Sequence, residues 1–243
     1  MEGATGKAPL GILCWEAGAM PRGLAQLESL VGNSTNPASY SFPVWMYRVQ
    51  GANIHTILEN PSPKALEAMI AAGKEMAAGG VRAITTSCGF NAIFQKELAA
   101  ALPVPVFTSS LLQVPFVQRI VGAHAKVCII TANGTALKPE HLAAAGIERT
   151  DTLVIRGLEK CAQWRKIFEA PEEDMDLPAV RGEVVSVAVE ALREDPTIRA
   201  FVLECTDLPP FAADIRKATG LPVFDYISMV HHVLEATGGF QPE

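Results

Sequence analysis

The sequence predicts an α/β fold with two pseudo-symmetric lobes, each a mainly parallel sheet flanked by helices, with a cleft between the lobes. Three observations support this prediction. Short β-branched runs alternate with longer segments rich in Ala, Leu, Glu and Lys, which is the pattern of βα units. The second half of the chain also repeats part of the first half, and a cysteine occupies the same position in both copies.

The elements follow from these runs in chain order. Eight strands are predicted at 9–14, 43–49, 81–86, 104–107, 126–131, 152–156, 198–204 and 221–224. Seven helices are predicted at 63–78, 90–101, 109–122, 138–145, 176–194, 208–218 and 225–237. Pro63, Pro209 and Pro210 fall in first turns of predicted helices, where a missing N–H is tolerated. Residues 17–42 are rich in Gly, Pro, Asn and Ser, which predicts a long loop of the kind that often serves as a lid or binding loop.

The internal repeat is the most informative pattern. Residues 81–107, VRAITTSCGFNAIFQKELAAALPVPVF, align without a gap to residues 198–224, IRAFVLECTDLPPFAADIRKATGLPVF. Cys88 falls on Cys205, while the core residues around them differ between the copies, which favours a function for the thiols over repetition of buried filler. Each cysteine ends a predicted strand and precedes a helix, the end of a parallel sheet at which ligands bind. Two such lobes facing each other would place one thiol on each side of a shared cleft.

Composition narrows the class of protein. The chain has 243 residues, 49% of them hydrophobic, which is ample for a core. A net charge of −6 without a basic block argues against a nucleic-acid partner. No apolar run approaches membrane-spanning length, and the apolar stretch near the N-terminus is too short for a secretory signal. We therefore expect a cytoplasmic protein whose partner is a small molecule, and a homo-oligomer stays open.

No cofactor or metal site is expected. The five cysteines are an odd number without a C-x-x-C pair, and the five histidines form no H-E-x-x-H pattern. A G-x-G-x-x-G motif and a phosphate loop are also missing from the sequence. The cysteines would then act by themselves. A free thiol of pKa about 8.5 is only about 3% ionised at pH 7, and a helix N-terminus can supply roughly the 2 kcal/mol that lowers its pKa by about 1.5 units.

Three segments carry a resemblance to a known family. They are TTSCGFNAIF around Cys88, LECTDLPPFA around Cys205, and CIITANGT at 128–135. With them the chain resembles the aspartate/glutamate racemase superfamily over nearly its whole length. The resemblance implies an active site in the interlobe cleft and a C-terminal segment that returns to the first lobe. Together with the repeat it predicts one lobe from 8–108 plus 222–243 and a second lobe from 109–221.

The resemblance also implies the reaction and the residues. It implies cofactor-independent racemisation of an amino acid, in which Cys88 and Cys205 act as two bases on opposite faces of the carbon next to a carboxylate. Candidate substrate-binding residues are Ser87, Gly89, Phe90, Thr131, Asn133, Thr135, Thr206, Cys14 and Trp15. Thr131, Asn133 and Thr135 are as readily turn or cap residues, and Cys14 is more readily a packing residue. Arg22 and Arg48 are candidates for a second substrate carboxylate, although a solvated arginine is the commoner case.

Two departures from glutamate racemases leave the substrate open. Those enzymes carry Asp-Ser after the first strand and a histidine after the second Cys-Thr, whereas this chain has Cys14-Trp15-Glu16 and Asp207. Relatives in the superfamily use the paired cysteines for maleate isomerisation, arylmalonate decarboxylation, hydantoin racemisation and lyase reactions on sulfonium compounds, and these remain alternatives. A non-catalytic bilobed binding protein is a further alternative, but it would not need matched thiols.

The flanking residues predict an asymmetry between the thiols. Cys88 lies between Ser87 and Gly89, whereas Cys205 lies near Glu204 and Asp207, whose charges oppose thiolate formation. Strand alternation is expected to turn Glu204 away from the cleft. We therefore expect Cys88 to be the more acidic thiol and the resting base, and Cys205 to be the resting acid.

Overall fold

The computed structural model describes residues 8–239 apart from residues 17 and 19. Its strands are β1 (Leu10–Trp15), β2 (Val44–Val49), β3 (Ala83–Thr86), β4 (Val106–Phe107), β5 (Lys126–Thr131), β6 (Leu153–Gly157), β7 (Ile198–Leu203) and β8 (Val223–Phe224). Its α-helices are α1 (Arg22–Glu28), α2 (Pro63–Ala78), α3 (Gln95–Ala101), α4 (Val114–Ile120), α5 (Pro139–Ala144), α6 (Lys166–Glu169), α7 (Leu177–Glu194), α8 (Ala212–Thr219) and α9 (Tyr226–Ala236).

The strands form two parallel four-stranded sheets of the same topology. The first has the order β2-β1-β3-β4 and the second the order β6-β5-β7-β8, so each strand of the second sheet corresponds to the strand four places earlier. All strand pairs within them run parallel. The predicted fold class, two mainly parallel sheets flanked by helices, is confirmed.

Helices cover both faces of each sheet, which is why the strands are apolar on both sides. On the first sheet, α2 buries Met69 and Met76 against one face, and α9 buries Tyr226 and Leu234 against the other. On the second sheet, α7 and α8 cover one face, while α4 and α5 cover the other. Phe90, from the first half of the repeat, packs into the core of the second lobe.

The chain returns to the first lobe at its C-terminal end. β8 still pairs with β7 in the second sheet, and α9 then packs on the first sheet. The crossing from the second sheet to the first lobe therefore lies between Phe224 and Tyr226. Asp225 fixes this point, because its side chain accepts a hydrogen bond from the backbone N–H of Ser228 at 2.7 Å and so caps α9.

Two local predictions differ from the structure. The segment 17–42, predicted as a loop, contains α1 and a 3-10 turn at Pro37–Ser39. The helices predicted to follow the two cysteines begin as 3-10 helices, Gly89–Phe94 before α3 and Pro209–Phe211 before α8. The 3-10 form is common at helix N-termini, where the first turn has no preceding carbonyls to bond.

Within the described part of the chain, no helix is long and apolar enough to cross a membrane.

Candidate active site

A cavity of about 340 Å³ lies where the carboxyl ends of the two sheets meet. Cys88 follows β3 by two residues and Cys205 follows β7 by two residues, so the repeated unit delivers one thiol from each lobe to this cavity. All five cysteines of the chain are free. Among the described residues, no group of three or more His, Cys, Asp and Glu side chains is arranged to hold a metal ion.

Some of the predicted site residues line the cavity, and the others lie outside its lining. Eight of them line the cavity: Cys14, Trp15, Ser87, Cys88, Gly89, Phe90, Cys205 and Thr206. Thr131, Asn133 and Thr135 do not line it. The Asn133 side chain instead accepts hydrogen bonds from the backbone and hydroxyl of Thr135, which is an Asx turn. Thr131 is fully buried beneath the cavity.

The two cysteine turns are tied together directly. The Thr206 hydroxyl donates a hydrogen bond to the backbone oxygen of Ser87 at 2.6 Å. This contact joins the residue after one cysteine to the residue before the other. The Thr206 hydroxyl, predicted to bind a substrate carboxylate, therefore donates its hydrogen to the other lobe and links the two lobes next to the thiols.

Backbone amides favour ionisation of Cys88, but burial opposes it more strongly. Burial raises the pKa of the Cys88 thiol well above its usual range, and the neighbouring Glu204 charge raises it further. The backbone N–H groups of Phe90 and Asn91, in the first turn of the 3-10 helix, act in the opposite direction. The expected helix N-terminal effect therefore does not outweigh burial, and the thiol is protonated at neutral pH.

Cys205 has a more acidic neighbourhood. Burial raises the pKa of its thiol, the charges of Asp207 and Glu204 raise it further, and one backbone N–H, that of Asp207, lowers it. The Cys205 Sγ donates a hydrogen bond to Asp207 Oδ2 at 3.5 Å. Asp207 Oδ1 accepts a second hydrogen bond, from Asn33 Nδ2 at 2.7 Å, so the carboxylate is held in place from the segment that follows α1.

Glu204 contradicts the expectation that it points away from the cleft. It is fully buried and lines the cavity, because β7 ends at Leu203 and strand alternation no longer applies one residue later. Its Oε2 accepts a hydrogen bond from the Thr131 hydroxyl at 2.7 Å. Burial raises the pKa of the Glu204 carboxyl to about 7, and the Asp207 charge acts in the same direction, while the Thr131 bond opposes both.

The rest of the wall combines aromatic rings with acidic groups. Aromatic side chains come from both lobes, namely Trp15, Phe90, Trp164 and Phe168. Glu16, Glu28, Glu204 and Asp207 contribute carboxyl groups, and Arg48 is the one cationic residue among the described lining residues. Arg22 does not line the cavity and instead pairs with Asp174 through two 2.9 Å hydrogen bonds. An acidic, aromatic-walled cavity suits a small ligand that carries a positive charge.

Leu24 and Glu28 of α1 and Ile167 and Phe168 of α6 form one side of the cavity. α1 lies in the segment 17–42, which the sequence predicted as a long loop of the kind that often serves as a lid or binding loop, whereas α6 was not predicted. A signal for α1 was present, since Leu24, Leu27 and Leu30 recur every third residue after Pro21. α6 is too short to leave a periodic pattern.

Comparisons with known proteins give sequence relatives and structural neighbours. No protein-family model matches the chain. It is 34% identical over 207 residues to a dimethylsulfoniopropionate lyase of Durusdinium sp. clade D, covering 82% of this chain and 67% of that protein. It is 31% identical over 215 residues to dimethylsulfoniopropionate lyase 7 of Emiliania huxleyi (strain CCMP1516), covering 85% of this chain and 62% of that protein. The chain thus spans about two thirds of the length of these relatives.

The structural neighbours share the fold at low sequence identity. An aspartate racemase homologue from Pyrococcus horikoshii OT3 superposes with a TM-score of 0.57 at 17% identity, covering 98% of this chain and 100% of that one. The aspartate racemase of Picrophilus torridus gives 0.59 at 17% identity, covering 96% and 95%. Arylmalonate decarboxylase gives 0.59 at 16% identity, covering 96% and 94%.

Proposed function

Because the chain belongs to the family of the dimethylsulfoniopropionate lyases, which has the aspartate/glutamate racemase fold, we propose that it is a cofactor-independent lyase. Its substrate would be a small carboxylate with a sulfonium group on the carbon two bonds from the carboxylate. Such relatives support the lyase alternative of the sequence analysis better than its first expectation, amino-acid racemisation.

The observation that carries this proposal is that the two thiols are unequal. Cys88 receives two backbone N–H groups, whereas Cys205 receives one and hydrogen-bonds to a carboxylate. Racemisation needs both thiols, one on each face of the same carbon, and each must serve as base in one direction. Elimination needs only one base, so a site with one favoured base suits it.

The surroundings of the thiols support a cationic substrate. The carboxyl groups of Glu28, Glu204 and Asp207 attract a sulfonium ion, and the faces of Trp15 and Trp164 can pack against its methyl groups. A positive charge bound in this cavity would also stabilise a thiolate, because it offsets the carboxylate charges that add to the effect of burial on the thiol pKa values. The substrate would therefore help to ionise its own base.

The elimination then proceeds with all atoms accounted for. The Cys88 thiolate takes a proton from the carbon next to the carboxylate and becomes a thiol. The C–H electron pair forms the carbon–carbon double bond, and the C–S electron pair leaves with the sulfur. Dimethylsulfoniopropionate would yield dimethyl sulfide and acrylate, and the proton passes from Cys88 to water.

The test is to give the purified protein dimethylsulfoniopropionate and follow dimethyl sulfide in the headspace and acrylate by NMR. We expect the two products in equal amounts, and a rate about 10²–10⁴-fold lower in the Cys88→Ala variant. In parallel, each enantiomer of aspartate and glutamate is incubated in deuterated water. Inversion with deuterium at the α-carbon, without release of dimethyl sulfide from the sulfonium compound, would refute the lyase proposal in favour of a racemase.

A further inference from the structure

Glu204 is placed where its carboxyl contacts the turn that presents Cys88. It is fully buried, and its Oε1 and backbone oxygen lie against Gly89, the residue after Cys88. A Cβ atom at position 89 would overlap both oxygens, so only glycine leaves room for the carboxyl at this position. The fold thus brings an acidic side chain of the second lobe against the backbone of the first thiol.

The hydrogen bonding of this carboxyl is incomplete. Oε2 accepts the bond from Thr131, but Oε1 is buried and has no hydrogen-bond partner among the described residues. A buried carboxyl with one partner costs free energy relative to an apolar residue of similar size. Buried ionisable groups of this kind, lining a cleft beside reactive side chains, are concentrated at functional sites.

We propose that Glu204 is a positioning residue for Cys88, and that its carboxyl, wedged between Gly89 and Thr131, adjusts by its charge how readily the buried Cys88 thiol ionises. The proposal rests on the proposed function for the role of Cys88 as base. Glu204 exchanges no atoms with the substrate in this scheme. It acts through the electrostatic potential at the Cys88 sulfur.

The direction of the effect follows from the signs of the charges. A negative Glu204 beside Cys88 disfavours a second negative charge on the sulfur, and a neutral Glu204 removes that penalty. Because burial raises the pKa of Glu204 to about 7, the carboxyl can be in either state near neutral pH. A cation bound in the cavity offsets the same penalty, so a cationic substrate would remove the part of the raised Cys88 pKa that Glu204 adds to the larger effect of burial.

Other ionisable groups face the same thiol and must be controlled for. They are Asp207 after β7, Glu16 after β1, Glu28 on α1, Arg48 on β2, Cys14 on β1, Cys205, and His141 of α5, whose ring packs edge-on against Phe90. Asp207 also raises the pKa of Cys88, but less than Glu204 does. Burial lowers the pKa of His141, which leaves its ring neutral at pH 7.

The test measures the ionisation of Cys88 and of Cys205 separately in a protein that keeps all five of its cysteines. Trypsin cleaves after Arg82 and Lys96 and after Arg199 and Arg216, so Cys88 and Cys205 fall in different peptides, each with one cysteine. Iodoacetamide labelling of the native protein at a series of pH values, followed by digestion and mass spectrometry, gives the ionisation midpoint of each thiol. The variants are Glu204→Gln, which removes the charge and keeps the shape, Glu204→Asp, which keeps the charge, and Thr131→Val, which removes the hydrogen-bond donor.

We expect Glu204→Gln to lower the Cys88 midpoint by about one pH unit, which is about tenfold faster labelling at a pH below both midpoints. Thr131→Val should leave the midpoint itself close to wild type, because Glu204 is ionised at that high pH, but it should speed Cys88 labelling near pH 7, where loss of the donor leaves more Glu204 neutral. Glu204→Asp should keep the wild-type midpoint. The acid limb of kcat/KM for dimethyl sulfide release should move with the Cys88 midpoint.

An unchanged Cys88 midpoint in Glu204→Gln, with the variant folded by circular dichroism, would overturn the proposal and leave Glu204 a purely structural residue. Equal midpoints for the Gln and Asp variants would overturn it as well, since only one of them carries the charge. Labelling needs no substrate, so this result is independent of the lyase assay. If wild-type protein releases no dimethyl sulfide, the proposed function fails while the labelling still decides the role of Glu204.

Discussion

The Cys88 turn, residues 81–107, and the Cys205 turn, residues 198–224, share one fold and differ in charge. In both, a central strand ends two residues before the cysteine, a 3-10 helix and an α-helix follow, and a short edge strand closes the unit. The 3-10 helix begins directly after Cys88 but four residues after Cys205. Cys88 therefore meets two backbone N–H groups, and Cys205 meets one and a carboxylate.

The comparison separates what the fold contributes from what individual residues contribute. The repeated fold brings both sulfurs to one cavity. The residues next to each sulfur then give it a different electrostatic environment: Ser87 and Gly89 on one side, Glu204 and Thr206 on the other. Two copies of one unit can thus supply two different chemical roles, and the predictions below test how different these roles are.

The largest expected effect comes from removing the thiols one at a time. Cys88→Ala removes the proposed proton acceptor, and loss of such a group reduces the rate by about 10²–10⁴-fold. Cys205→Ala should lower kcat less, by about tenfold, because the Cys205 thiol hydrogen-bonds to Asp207 and elimination needs only one base. The measurement is kcat for dimethyl sulfide release by each variant.

The mutation of Cys128 to Ala is the control, because this cysteine is buried in the second-lobe core away from the cavity lining. It should lose stability and keep its kcat. Equal losses of 10³-fold or more in the two cavity variants would show that the thiols act as a symmetric pair, which would restore the racemase-like scheme.

The second prediction concerns position 89, whose counterpart in the other turn is Thr206. Gly89→Ala places a methyl group where Glu204 lies, and the backbone oxygen of Glu204 cannot rotate away. We expect a loss of about 1–3 kcal/mol in the free energy of unfolding and a fall of about 10–100-fold in kcat, because the Cys88 sulfur shifts. Urea denaturation and the dimethyl sulfide assay measure the two effects.

Gly182→Ala is the matched control, because Gly182 lies within α7 and an added Cβ would meet no atom within 4 Å. This change should raise the free energy of unfolding by about 0.5–1 kcal/mol and leave kcat unchanged. A Gly89→Ala variant with wild-type stability and activity would show that the Glu204 carboxyl moves freely, which contradicts the wedge between Gly89 and Thr131.

The sequence predicted the strands and the positions of the two cysteines well, because these follow from patterns of residues close together in the chain and from the repeat. The eight strands agree with the predicted ranges to within two residues at each end, and α2 begins at Pro63 as predicted. The gapless repeat located both thiols at strand ends. These features depend on hydrophobic pattern and on chain punctuation by proline and glycine.

The charge environment could not be predicted in the same way, because it depends on contacts between distant residues. Glu204 lies one residue beyond its strand, so alternation gave the wrong direction for its side chain. The cavity wall around the thiols includes α1 and α6, one hidden in a Gly- and Pro-rich segment and the other a single turn. The expectation of a low thiol pKa was wrong because it considered the helix N-termini and did not consider the burial of the thiols, which raises their pKa values.

The third prediction concerns Asp207, which hydrogen-bonds to the Cys205 sulfur and acts on the Cys88 sulfur only through its charge. Asp207→Asn removes the carboxylate that hydrogen-bonds to Cys205, so it should lower the ionisation midpoint of Cys205 by about one pH unit. The midpoint of Cys88 should move less, because Asp207 ranks below burial and Glu204 among the causes of its raised pKa. Peptide-resolved alkylation measures both.

The Glu204→Gln variant should show the reverse pattern, in which the ionisation midpoint of Cys88 shifts more than that of Cys205. A stability change should accompany Asp207→Asn only at pH values where the carboxyl is ionised. Burial raises the pKa of Asp207, so the wild-type protein loses stability as pH rises through that pKa, and the variant should not. Equal shifts of the two thiols in either variant would contradict the assignment of one carboxylate to each sulfur.

The smallest expected effect lies outside the cysteine turns, where α1 bridges from the first lobe to the segment around α6 in the second. Arg22 pairs with Asp174 through two hydrogen bonds, but both side chains are 58% exposed. Gln26, on the same helix, makes two hydrogen bonds with the backbone of Met175 at a partly buried position.

We expect Arg22→Ala to cost less than about 1 kcal/mol of unfolding free energy, because exposed ion pairs contribute little and are screened by salt. Gln26→Ala should cost more, because it leaves backbone groups of Met175 without their partners. Thermal unfolding at 20 mM and 500 mM NaCl would separate the two, since only the Arg22 effect should shrink with salt. A loss above 2 kcal/mol in Arg22→Ala, or a tenfold rise in KM, would mean that the exposed pair rather than the cysteine turns holds the lobes around the cavity.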